Sequence, residues 1–123
     1  MDIDCDGQDW QCPYTTLFKI TYIRGNPDGQ PQTAYGNLSA FQVPYIVVPS
    51  SYVEKHNIPG NAISAVVCAG QMYYAVMGDT NGDTPEVIGE ASWLVGQTCF
   101  PNEGLDGGMG HDQVDVLCSF TLH

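Results

Sequence analysis

Basic side chains are nearly missing from this 123-residue chain: Lys19, Arg24 and Lys55 stand against fourteen Asp and Glu, for a formal net charge of −11. That balance argues against nucleic acid as a partner, because phosphate binding needs a cationic face. No apolar run approaches the roughly 20 residues of a membrane span, so no membrane partner is expected. A basic-then-apolar start is also missing, and the chain reads as a mature or trimmed product without a legible signal peptide. Five cysteines are present (Cys5, Cys12, Cys68, Cys99, Cys118), but without a CxxC and without a second pair at zinc spacing. There is no GxSxG, and no Ser or Cys is placed beside His111 in a way that supports acyl transfer.

What is present fits one domain, residues 1–123. Charged residues are only 14% of the chain while Gly and Pro are abundant, which favours short strands and turns over a helical bundle. Leu17–Ile23 alternates in the manner of a half-buried strand, and Gly25–Gly36 is a loop or hairpin connection. Tyr45–Val48 is an apolar run between Pro44 and Pro49 and reads as a buried strand. Ala62–Ala69 and Met72–Met77 are expected to pair as a hairpin across Gly70-Gln71, and Asp115–Leu122 is the last strand. One or two short helices are predicted, with Glu90–Thr98 the better candidate. Ser50–His56 would be capped by Ser50 or Ser51 with Glu54 completing a capping box, and Glu90–Thr98 carries Trp93, Leu94 and Val95, with Gly96 costing about 1 kcal/mol against Ala. A small, mainly β domain results, a barrel or a sandwich. The cysteines suit an oxidising compartment. Cys5 and Cys12 flank a short polar loop and form the preferred local disulfide, while Cys68 and Cys118 lie in apolar stretches and need only be buried.

The segment GDTNGDTPEVIGEAS, Gly78 to Ser92, holds the chemistry. Asp79 follows the apolar strand and Glu90 closes the acidic turn. Two carboxylates at the rim of a small β domain suffice for glycosidic hydrolysis, one protonating the leaving oxygen and the other activating water. With Asn81-Gly82 turning the chain back, strand spacing puts the two carboxyls about 5–10 Å apart, a range that includes both inverting and retaining geometries. The same residues also admit a calcium reading. Asp79, Asn81, Asp83 and Glu90 occupy places one, three, five and twelve of an EF-hand loop, but Thr84 stands where that loop needs Gly and a strand replaces the leading helix. Asp2, Asp4 and Asp6 repeat the first half of the spacing, with Pro13 at the twelfth place. A third reading makes these acids plain turn-formers. His111 with Asp112 and Asp115 is a further polar cluster, and Tyr73, Tyr74 and Trp93 offer flat faces for sugar rings or, equally, core packing.

DIDCDG at 2–7, VPYIVVP at 43–49, AVVC with GQMYYAVMGDTNGD at 65–83, IGEAS at 88–92 and GHDQVDVL at 110–117 together resemble the fungal-type endo-chitosanases of glycoside hydrolase family 75, in order and over nearly the whole chain. The resemblance implies a single catalytic domain that hydrolyses the β-1,4 links of chitosan with inversion, without metal or cofactor, in a secreted protein. It matches Asp79 and Glu90 to the family's essential carboxylates, and a six-stranded, double-psi-like barrel with one or two short helices is the implied fold. The departures are a short loop from Gly25 to Ala40 and a bulkier continuation of GEAS as Trp93-Leu94-Val95-Gly96. Both bear on subsite number and leave the chemistry in place.

On this reading the partner is a cationic polysaccharide and the protein a monomer. Asp4, Asp6, Asp83 and Glu86 line an acidic groove, with Tyr74 and His111 also contacting substrate. Glu90 is assigned as general acid, since Val87, Ile88 and Trp93 would desolvate it, and Asp79 as general base. A helix beginning at Glu90 argues for the opposite roles. The competing class is a non-catalytic, calcium-dependent carbohydrate-binding module that uses the Asp79–Glu90 loop as its metal site.

Overall fold

The computed structural model describes residues 1–4, 40–41, 43–60, 62–106, 109–111 and 117–120, with the backbone alone at 2, 4 and 117–120. In chain order the elements are β1 (Asp2–Asp4), β2 (Tyr45–Pro49), α1 (Ser50–His56), β3 (Ile63–Cys68), β4 (Gln71–Asn81), β5 (Glu90–Ser92), α2 (Trp93–Cys99) and β6 (Leu117–Phe120). The strands form one six-stranded sheet in the order β1-β5-β2-β4-β3-β6. The described residues are therefore mainly β with two short helices, within the one or two expected, but their sheet is open. Closure into a barrel needs hydrogen bonds between the first and last strands. Here β1 and β6 stand at opposite ends, and residues 109–111 cover the outer edge of β1 instead, with Ile3 N–H donating to Met109 O (3.2 Å) and His111 N–H to Met1 O (2.7 Å). The predicted strand Leu17–Ile23, the loop Gly25–Gly36 and the Cys5–Cys12 pairing lie outside the described residues.

β2 occupies the middle of the sheet, and Tyr45, Ile46, Val47 and Val48 are all buried. A strand covered on both faces reads as a continuous apolar run, which is why its period-two pattern is lost while its flanking prolines still mark its limits. β3 and β4 form the expected hairpin, one residue earlier than predicted: Cys68 pairs with Gln71 across Ala69-Gly70. Both turn residues have positive φ (48° and 74°), the backbone of the two-residue turn whose twist matches its strands.

The helices begin differently from the sequence expectation. α1 starts at Ser50 itself, behind Pro49, and no side chain of its own caps it. The predicted helix from Glu90 is two elements: Glu90–Ser92 joins the sheet and the helix starts only at Trp93. Ser92 is the cap, its Oγ accepting from Val95 N–H (3.4 Å) and from the β2 N–H of Tyr45 (3.2 Å). Gly96 has a packing reason. A Cβ at this position would lie 2.4 Å from the Ile3 Cδ1 atom, so the glycine lets β1 close onto α2. No helix among the described residues is long and apolar enough to cross a membrane.

Cys68 is buried, as expected, and is also bonded to Cys99 at the end of α2, with Cα atoms 5.6 Å apart. The bridge joins β3 to α2 and encloses the whole acidic segment.

Candidate active site

β2 and β4 run parallel, and their register slips between Ile46 and Val47: Ile46 pairs with Met77 but Val47 pairs with Asp79. Gly78 is the extra residue. Because side chains alternate, one inserted residue exchanges the faces of everything after it. On its other side Val47 pairs with Glu90 of the antiparallel β5. Asp79 and Glu90 are thus held in one transverse row with Val47 between them, their Cα atoms about 9–10 Å apart by strand spacing. The acids are one strand removed from each other rather than on adjacent strands.

Their surroundings differ. Asp79 is 2% exposed, and its Oδ1 accepts from Thr80 N–H (2.7 Å). The sequence placed both acids at an open rim, so for Asp79 that is corrected: β4 runs on through Asn81 and carries the residue inside the sheet. Glu90 is half-buried. Of the three residues expected to desolvate it, Ile88 is 84% exposed while Val87 and Trp93 are partly buried, and the helix that would face it with an N-terminus starts three residues later.

Asn81, two residues beyond Asp79 on β4, organises the segment. Its Nδ2 donates to Glu90 Oε2 (3.0 Å) and to Asp83 Oδ2 (3.2 Å), while its Oδ1 accepts from the N–H groups of Asp83 (3.1 Å) and Val87 (2.9 Å). Two backbone donors fix which end of the amide is oxygen. Sequence reading treated Asn81 as a turn residue or a calcium ligand. The signal that it belongs to the site was its spacing, since a residue two along a strand from Asp79 shares its face.

These bonds lend the calcium-module reading no support. A calcium loop presents oxygens inward, whereas Asn81 turns an –NH₂ toward two of the supposed ligands and spends its oxygen on the backbone. Among the described residues no group of three or more His, Cys, Asp or Glu is placed to hold a metal ion.

Glu86 anchors the same loop to α1. Its carboxylate accepts from Ser51 N–H (2.9 Å) and from the Ser51 hydroxyl, supplying from a distant loop the cap that α1 lacks. The Ser51 hydroxyl, and after it the Ser51 N–H, hold the Glu86 carboxyl below its ordinary pKa. A depressed carboxyl stabilises the fold above its unfolded pKa, about 4.3 for glutamate, and loses that contribution as pH falls through the folded value. Glu86→Gln is therefore expected to melt slightly below the wild type near pH 6. The gap between the two melting curves should close as the pH is taken to about 3. A gap that stays constant across that range would remove Glu86 from the acid response.

The remaining predicted site residues are placed as follows. Asp83 is exposed and joined to Glu90 through Asn81. Tyr74 is 68% exposed on the β3–β4 hairpin, about 16 Å along the strand from Asp79 at a rise of ~3.3 Å per residue. The His111 ring is stacked on Phe100 (centroids 3.7 Å, 12°), with Nδ1 2.7 Å from Glu103 Oε2, on the segment that covers the edge of β1. The structure links Asp83 to Glu90 through Asn81 and sets Asp79 one strand beyond Val47, with Tyr74 farther along β4 and His111 on the segment beside β1. Asp4 lies in β1 opposite Ser92; its side chain, together with Asp6, Asp112 and Asp115, lies outside the described residues.

Fold and site together define an acidic, mainly β protein whose paired carboxylates flank the central strand of an open sheet. A family model described as fungal chitosanase of glycosyl hydrolase group 75 matches residues 1–121, and this chain belongs to that family. It is 48% identical over 118 residues to Endo-chitosanase C of Aspergillus oryzae, an alignment that takes in 94% of this chain and 28% of that protein. Endo-chitosanase of Aspergillus fumigatus is 38% identical in an alignment 132 positions long that takes in 95% of this chain and 51% of that protein. Endo-chitosanase B of Aspergillus oryzae is 36% identical over the same shares. The chain therefore spans between about a quarter and a half of the length of these relatives.

Proposed function

We propose that this protein is an endo-acting glycoside hydrolase that cleaves the β-1,4 links of chitosan with inversion at the anomeric carbon. The observation that carries the reading is the register of Asp79 and Glu90 on either side of Val47. With backbones about 9–10 Å apart, the carboxyls can approach the separation of inverting enzymes, roughly 6.5–9.5 Å, which leaves room for a water beside the sugar. Membership of the fungal chitosanase family and the endo-chitosanase names of its relatives support the same substrate.

The surroundings favour Asp79 as acid and Glu90 as base. Water reaches a 2% exposed carboxyl poorly, which suits a proton donor better than the group that must hold the nucleophile. Glu90, half-buried and accepting an amide N–H, is the better holder of a water. In the step, Glu90 takes a proton from water as the water oxygen bonds to the anomeric carbon. The bond from that carbon to the bridging oxygen breaks, and Asp79 gives its proton to that oxygen. The net charge of −11 draws a polymer of ammonium groups toward the site. Such contacts at a surface choose the polymer more than they set its rate of cleavage. A monomer acting outside the cell fits a soluble polymer substrate, and the Cys68–Cys99 bridge suits an oxidising compartment.

The test is release of reducing ends from chitosan and from cellulose, with and without a chelator, and NMR of the first anomer formed. Cleavage of chitosan alone, indifferent to chelator and yielding the α-anomer first, is the expected result. No cleavage of chitosan, or β-anomer first, would overturn the substrate or the stereochemistry respectively.

A further inference from the structure

We propose that Asn81 is a positioning residue that holds the Glu90 carboxylate at its working orientation and keeps it apart from Asp83. Its –NH₂ lies between the two acids, 3.0 Å from Glu90 Oε2 and 3.2 Å from Asp83 Oδ2. The side chain is 8% exposed and fixed at four points: two N–H groups on its oxygen and two carboxylates on its nitrogen. Its own carbonyl accepts from Ser50 Oγ (3.1 Å), which ties the end of β4 to the start of α1. A side chain held in this way transmits the position of β4 to a neighbour on the three-residue strand β5. Two other carboxylates lie near Glu90: Asp79 across Val47 on β4, and Asp83 through the shared Asn81 amide. On β1 the backbone of Asp2 is the register partner of Glu90. The neutral donor at position 81 favours the ionised form of Glu90.

The link to rate rests on the two-carboxylate reading; the link to Glu90 rests on the hydrogen bonds alone. Asn81→Asp separates them. It keeps an oxygen for the Asp83 and Val87 N–H groups but replaces the donor with a third carboxylate beside Glu90. We expect the Glu90 pKa to rise by at least about one unit, as for carboxylates sharing a site. The acidic limb of the kcat profile should move up with it, while KM changes little. Asn81→Gln is neutral and keeps a displaced donor, so it should leave that limb in place and lower kcat by up to about 100-fold through misplacement. The Glu90 pKa is read independently by carboxyl carbon NMR on the full chain, where only Glu54, Glu86, Glu90 and Glu103 compete for assignment and Glu90→Gln identifies the signal. A raised pKa in Asn81→Asp with the alkaline limb moving instead would support the positioning role and exchange the acid and base assignments. A raised pKa in a protein that never cleaves chitosan would keep the contact and sink the proposed reaction. An unmoved Glu90 pKa, or full kcat in Asn81→Gln, would overturn the inference.

Discussion

Asp79→Asn and Glu90→Gln are each expected to cut chitosan cleavage by about 10²–10⁴-fold, the usual range for losing a general acid or base. Both changes are nearly isosteric. Asn at 79 still offers an oxygen to Thr80 N–H, and Gln at 90 still offers one to Asn81, so these two hydrogen bonds survive and the melting temperature should stay within a few degrees. Loss of rate without loss of fold is the signature sought. The roles come apart in a second measurement. If Glu90 is the base, Glu90→Ala should regain turnover with added azide, which attacks the anomeric carbon without needing to lose a proton. If Asp79 is the acid, Asp79→Asn should regain rate on substrates whose leaving group needs no protonation. Either variant retaining most of its activity on chitosan would remove that residue from the mechanism.

Much of the strand content was legible. Pro44 and Pro49 bracketed β2, and the apolar runs at 62–69 and 72–77 gave the β3–β4 hairpin to within a residue. These are local signals, carried by side-chain type and turn chemistry. β5 was hidden because three residues form no pattern: Glu90–Ser92 is a strand only because β1 and β2, far off in sequence, pair with it on both sides. The neighbouring Trp93-Leu94-Val95 cluster pulled the reading toward a longer helix, although Ser92 before it was a serviceable cap signal. The slip at Gly78 was equally invisible, yet it decides which face Asp79 occupies. The acids themselves were proposed from residue type and family likeness. Their relation through Val47, the burial of Asp79 and the amide of Asn81 depended on tertiary pairing that no window of the chain contains.

Removing the Cys68–Cys99 bridge is expected to cost about 3–4 kcal/mol, the loop-closure value for a cross-link of this span, and to lower the melting temperature by roughly 10–15 °C. The sequence separation is 31, and the enclosed stretch contains β4, β5 and α2 with Asp79, Asn81, Asp83, Glu86 and Glu90. Cys68 is 0% and Cys99 4% exposed, so Cys68→Ala with Cys99→Ala is the appropriate pair; serines would bury hydroxyls in an apolar setting. Changing both together also avoids a lone thiol that could exchange with Cys5, Cys12 or Cys118. The bridge ties the ends of the segment, whereas the row of Asp79, Val47 and Glu90 is set by ladders with β2. Well below its lower melting point, the double variant should therefore keep its kcat on chitosan, so that stability and turnover separate. A melting temperature within a few degrees of wild type would mean that the sheet alone holds the segment. A collapse of kcat in protein that is still folded would mean that the bridge, and not β2, sets the distance between the acids.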